Sequence, residues 1–184
     1  MRKYRDKVIV FIIIIVAVRI VYNRGTVPYN EVLHDIERRV KDGDNSIVDL
    51  NIKKKLNKYS DEYFLCSVKY ENNYAKEKYL LVIYKKDLFD RYIDSILELN
   101  NHCVGRYCLE DKNVSTYAVY GYNPNKIISN FKTVMDNETV IEDISEEDYF
   151  IKVYKGDLEF GMYDWTKFYD KDGKELSTEL IISQ

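Results

Sequence analysis

Residues 8–18 read Val-Ile-Val-Phe-Ile-Ile-Ile-Ile-Val-Ala-Val, a run without one polar side-chain atom, and Arg2, Lys3, Arg5 and Lys7 stand before it. A basic head on an oily rod constrains the rest of the chain, because such a rod is at ease only in lipid or inside a protein core. The hydrocarbon layer of a bilayer is about 30 Å thick and asks for roughly 17–25 apolar residues in helical form. Arg19 interrupts the run, but Ile20, Val21 and Tyr22 continue it. Val8 to Tyr22 makes about 22 Å of helix at about 1.5 Å per residue. Arg19 can snorkel to the head groups, Tyr4 and Tyr22 flank the rod where amphipathic rings prefer to sit, and local thinning of the bilayer covers the remaining mismatch. These features predict a cytoplasmic basic flank over 1–7, a transmembrane signal anchor over 8–22, a tether over 23–29 and an extracytoplasmic domain over 30–184. Two alternatives are a buried segment of a soluble core and a cleaved signal peptide, whose apolar region typically runs about 7–15 residues. The small residues of a cleavage site are missing, since Ala17 is followed by Val18 and Arg19.

Charge sets the expected orientation. The flank carries four cations against Asp6, and the positive-inside bias keeps it in the cytoplasm. Residues 1–24 hold six of the 28 basic side chains and one of the 31 acidic ones, so the remainder carries 22 against 30, a net of −8. An acidic body is repelled by nucleic acid and tolerates cations and basic partners. The expected partners are therefore the lipid bilayer, through the N-terminal helix, and a protein at the cell surface, with no nucleic acid and no cofactor.

Cys66, Cys103 and Cys108 are an odd set for an exported chain, which leaves at least one thiol unpaired. Cys66, in Tyr-Phe-Leu-Cys-Ser-Val, reads as a small buried apolar residue. Cys103 and Cys108 enclose four residues including Gly105, a spacing for a small disulfide loop in an oxidising exterior, the alternative being two unbridged thiols.

The periodicities predict an α+β domain with an antiparallel sheet and two amphipathic helices. Asn30 reads as an N-cap, Val32, Leu33, Ile36 and Val40 share a helical face, and Gly43 stops the run. Leu88, Phe89, Tyr92, Ile93, Ile96 and Leu97 recur at helical spacing and predict the second helix, lying on the sheet. Residues 62–70 and 78–84 read as a hairpin around Glu71-Asn-Asn73, with 78–84 central because it is almost wholly apolar. Residues 47–58 are ambiguous. Beyond Cys103 the pattern turns to strands at 116–122, 126–135, 139–144, 148–154, 161–169 and 175–182, the last two around Asp170-Lys-Asp-Gly173.

Tyr120-Gly-Tyr-Asn-Pro-Asn-Lys-Ile127, Tyr149-Phe150 and Tyr169-Asp-Lys-Asp-Gly-Lys-Glu175 resemble the C-terminal portion of small, poorly characterised anchored or exported proteins of low-GC Gram-positive bacteria. The resemblance spans about 65 residues and implies an exported, β-rich fold. It carries no catalytic residues to transfer.

Chemistry-bearing candidates are few, and each has a plain structural reading beside it. A Cys–His nucleophile would have to use His34 or His102, and His102 points away from its neighbour Cys103 on an extended strand. Asp143, Glu146, Glu147 and Asp148 could offer oxygen ligands to a hard cation or simply form a solvated face. Asp170, Asp172, Gly173 and Glu179 partly mimic a calcium loop, but Phe168 stands where its first ligand belongs, so a hairpin turn is the simpler reading. Trp165 sits in an aromatic-dense segment, either a stacking patch or core. The reading that follows is a membrane-anchored extracytoplasmic protein with a non-enzymatic binding or scaffolding role. The alternatives are a cell-surface enzyme or inhibitor and an accessory subunit of a membrane complex. No catalytic, cofactor or metal residues are assigned.

Overall fold

The computed structural model describes residues 11–18, 26–43, 46–71, 73–86, 91–100, 103–109, 115–135, 138–156 and 166–177. Residues 11–18 form helix α1, about 12 Å long at the usual helical rise. Among the described residues no helix is long and apolar enough to cross a membrane. Residues 8–10 and 19–22 of the expected span lie outside them.

The body is mostly antiparallel β-sheet. Strand β1 (Val27–Pro28) and a 3-10 turn (Tyr29–Glu31) lead into helix α2 (Val32–Gly43), where the sequence places its first amphipathic helix. There follow β2 (Ile47–Lys58), β3 (Asp61–Tyr70), β4 (Asn73–Lys86) and β5 (Arg91–Asn100), which form a five-stranded sheet in the order β1-β5-β4-β3-β2. The expected hairpin is β3–β4, and the most apolar strand, β4, is central. The ambiguous segment 47–58 is strand throughout, with irregular register near Asp49 and Lys54.

The second amphipathic helix is a correction. Residues 91–100 are strand β5, paired with β4 from Lys86↔Tyr92 to Tyr79↔Asn100, and residues 88–89 lie outside the described set. The helical spacing of Tyr92, Ile93, Ile96 and Leu97 also fits a strand with apolar residues on both faces. The choice falls to β4: a central strand has two rows of backbone donors and acceptors, and β3 fills only one of them.

Strands β6 (Val104–Leu109), β7 (Ser115–Tyr122), β8 (Asn130–Met135), β9 (Glu138–Asp143), β10 (Tyr149–Gly156), β11 (Lys167–Tyr169) and β12 (Glu175–Leu176) complete the chain. They make a three-stranded sheet, β10-β7-β6, and a four-stranded sheet, β12-β11-β8-β9. The expected strand 126–135 begins four residues late. Pro124–Lys126 is a 3-10 turn, with Asn125 and Lys126 at φ 53° and 54°, and that conformation cannot continue a ladder. Residues 161–165 and 178–182 of the last two expected strands lie outside the described residues.

Side-chain alternation stacks these layers. Phe64, Cys66 and Val68 of β3, with Leu80, Val82 and Tyr84 of β4, face Val32 and Ile36 of α2. Tyr63 and Leu65, with Tyr79, Leu81 and Ile83, face the other way onto Ala118, Tyr120, Ile151 and Val153 of the three-stranded sheet. The far side of that sheet, through Tyr117, Val119 and Phe150, packs on Phe131, Met135 and Phe168 of the four-stranded one. A strand buried on both faces must be apolar at every position, which is why β4 reads as a continuous hydrophobic run.

The two-residue turn between β2 and β3 is made by Tyr59 and Ser60 at φ 54° and 68°. Hairpin turns of this hand favour Asn-Gly, because other L-residues are strained at positive φ. The Tyr59 ring lies about equally close to two ammonium groups, 5.1 Å from Lys58 Nζ and 5.0 Å from Lys155 Nζ. Changing Tyr59-Ser60 to Asn-Gly should relieve on the order of 2 kcal/mol of strain and lose about 1 kcal/mol of exposed cation–π attraction. The expected outcome is a thermal midpoint raised by about 2–4 °C, read by circular dichroism.

Candidate functional site

The acidic cluster is where the sequence places its strongest oxygen-ligand candidates, and the fold gives those carboxylates cations of its own. Glu147 pairs with Lys54 of β2 and, at 2.9 Å, with Lys152 of β10. Lys152 reaches on to Glu142 of β9 at 3.4 Å, so one chain of charges ties together an edge of each of the three sheets. Burial pushes the Glu147 carboxyl up, but hydrogen bonds from Lys54 and Lys152 outweigh it and hold it below the ordinary range. Glu146 takes Lys126 at 3.0 Å, and Asp143 accepts from the Ser145 amide and hydroxyl. Among the described residues no group of three or more His, Cys, Asp or Glu is placed to hold a metal ion.

The calcium-loop mimic is a hairpin turn. Asp170 Oδ1 accepts the amides of Asp172 and Lys174, both at 2.9 Å, and Gly173 at φ 77° supplies the reversal. Glu179 lies outside the described residues.

Cys103 and Cys108 are not bonded to each other. Cys103 immediately precedes β6 and Cys108 lies within it. Five residues of extended chain at about 3.3 Å each hold two Cα atoms ~16 Å apart, whereas a disulfide needs them within about 7 Å. The disulfide expected from spacing requires a closed loop, and the pairing of β6 with β7 draws that loop out straight. Cys66 is fully buried between β3 and α2, and burial pushes its thiol up to about 12. A nucleophilic cysteine needs the opposite shift. His34 is exposed on α2, while His102 and Trp165 lie outside the described residues.

Sequence reasoning overlooked two buried carboxylates. Asp35 of α2 accepts from the Tyr84 hydroxyl at 2.8 Å and pairs with Arg38 at 2.5 Å and Arg39 at 2.9 Å, pinning helix to sheet. Glu62 of β3 is 1% exposed and lies 2.8 Å from Lys55 Nζ and 2.7 Å from Lys86 Nζ, one lysine on each neighbouring strand. A charged residue opening an apolar strand is the signal that marked it. Burial raises the Glu62 carboxyl, and hydrogen bonds from Lys55, Lys86 and Tyr92 more than reverse this. Glu62 and Glu147 thus bind protons more weakly folded than unfolded. Their stabilisation is complete above the ordinary glutamate value of 4.5 and is lost as pH falls through the lower folded values. Asp61, raised mainly by burial, runs the other way and offsets part of this. The urea midpoint should therefore fall as pH drops below about 4.5, and Glu62→Gln should flatten that slope while costing about 2 kcal/mol at neutral pH.

Three surfaces remain after these pairings. Tyr79, Tyr122 and Tyr149 form a triangle with centroids 5.1–6.3 Å apart, covering one end of the core between the first two sheets. Strand β9 pairs with β8 on one side and, among the described residues, with nothing on the other. Helix α1 exposes every side chain it has. Comparison with protein-family models, with curated proteins and with solved structures finds no match.

Proposed function

We propose that this chain is a single-pass membrane protein, anchored by its N-terminal helix with the β-rich body outside the cytoplasm, and that the body binds or scaffolds rather than catalyses. The observation that carries the anchor is α1. From Phe11 to Val18 its large apolar side chains are 49–64% exposed, and the helix has no polar face to turn to water. Transferring a Val, Ile or Phe side chain out of water is worth about 1.5–3 kcal/mol, so burial of this helix in lipid favours membrane residence by on the order of 10 kcal/mol. Arg2, Lys3, Arg5 and Lys7 supply the orientation. The binding role is supported by where the body spends its charges: Asp35, Glu62, Glu142 and Glu147 each have cationic partners within 4 Å, within helix α2 for Asp35, within one sheet for Glu62 and between sheets for Glu142 and Glu147.

The test is fractionation of cells expressing the full chain. The protein should remain in the pellet through an alkaline carbonate wash, and protease added to intact cells should digest the body. Release by carbonate, or a body spared by protease until the cells are lysed, would overturn the reading. A shortened N-terminus on the mature chain would replace the anchor with cleaved export.

A further inference from the structure

The edges of the three sheets are not equally defended. Isolated edge strands invite pairing with other chains, and proteins blunt them with short strands, lysines or coverage. Strands β1 and β12 are two residues long. Strand β2 carries Lys53, Lys54, Lys55 and Lys58, and Lys58 Nζ bonds the Val153 carbonyl of β10 across the gap at 2.6 Å. Among the described residues, strand β9 has none of these devices. It is six residues long, lacks Lys and Pro, and presents Ile141 at 60% exposure beside exposed Thr139. Its charges are all negative: Glu138 and Glu142 on one face and Asp143 on the other. A second copy is a poor occupant. Antiparallel self-pairing through one edge opposes residues of the same face, so centred on Val140 it sets Glu138 opposite Glu142 of the second copy, and like charges directly opposed are destabilising.

We propose that the outer edge of β9 is a strand-addition site for an extended basic segment of a partner protein, with lysine or arginine beside Glu138 and an apolar residue beside Ile141. The backbone of β9 supplies the hydrogen bonds, and alternation of its side chains sets the choice of sequence. This deepens the binding role proposed above by naming the partner's chemistry and rests on that role, but not on the anchor. It also fits the net charge of −8 outside residues 1–24.

The test uses the full chain in detergent micelles and a synthetic peptide alternating lysine and valine, read by backbone amide exchange at residues 138–143. Saturating peptide should slow exchange there at least tenfold. A peptide alternating glutamate and valine should not, nor should the lysine–valine peptide N-methylated at every backbone amide, which keeps its charge and cannot pair. Glu138→Lys and Ile141→Thr should each weaken the effect several-fold with an unchanged thermal midpoint, since both side chains are exposed. Equal slowing by the N-methylated peptide, or no slowing at 138–143, would overturn the proposal. Slowing that grows with protein concentration without peptide would assign the edge to a second copy instead. Fractionation and amide exchange are separate readouts, so failure of the anchor and failure of this site cannot be confused.

Discussion

Gly121→Ala should leave little or no natively folded protein. A Cβ built at Gly121 would lie 2.2 Å from the Cys103 carbonyl oxygen and 2.7 Å from the Val104 Cα, both main-chain atoms. Gly121 pairs with Val104 on one side and Phe150 on the other, so it is central in the three-stranded sheet. A flexible side chain could swing clear, but here a strand must move. That movement would break the adjacent bond from the Tyr122 amide to the Cys103 carbonyl, 2.7 Å long, and loosen Val104 in the core beneath. A cost of about 4 kcal/mol or more is expected, in the range reserved for a named steric defect and comparable with the whole stability of many domains. Urea titration followed by circular dichroism would read it. A variant within about 1 kcal/mol of the parent would show that β6 and β7 do not approach this closely.

Asn123→Asp should be nearly as damaging, for a different reason. Asn123 is fully buried where β7 gives way to the turn Pro124–Lys126. Its amide nitrogen donates to the carbonyls of Ile128 at 2.8 Å and Ile144 at 3.1 Å, and its side-chain oxygen accepts the Ile128 amide at 2.9 Å. One side chain thus stitches together the starts of two connections. Aspartate keeps the shape and the acceptor but turns both donors into an oxygen facing two carbonyl oxygens. Each buried group left unsatisfied costs about 1–3 kcal/mol, so a loss of about 3–5 kcal/mol is expected, smaller at acid pH where a protonated carboxyl can donate once. Asn123→Ala should cost about 2–4 kcal/mol, without that pH dependence. Equal stability of Asn123→Asp and the parent at neutral pH would refute this account.

These two residues also mark the limit of reading the fold from the chain. The segment Tyr120-Gly-Tyr-Asn-Pro-Asn-Lys-Ile127 stands out on sight, and the expected strand 116–122 is there as β7. That Gly121 is there for a backbone contact with Cys103 is not visible, because the contact closes across two strands 18 residues apart. Helix α2 and the β3–β4 hairpin were legible because their signals are local: an apolar stripe at helical spacing, and two aliphatic runs around a turn. Strand β5 misled because its apolar residues suit either period. The acidic cluster left two readings open, an oxygen-ligand set and a solvated face. Neither reading shows that Lys54, which precedes Glu147 by 93 residues, is brought against Glu147.

The chain's own order of side chains determined what is local or additive: a basic and apolar N-terminus, an acidic remainder, a first helix, and a succession of short strands. Each of these follows from residues within a turn or two of one another, or from a sum over the whole chain. The tertiary structure alone decided that residues 91–100 are a strand, that Cys103 and Cys108 lie apart, that Glu147 is a brace between sheets, and that β9 ends a sheet with its edge unpaired among the described residues. Such outcomes depend on which strand lies beside which. Pairing satisfies backbone groups and brings charges within reach regardless of their separation along the chain.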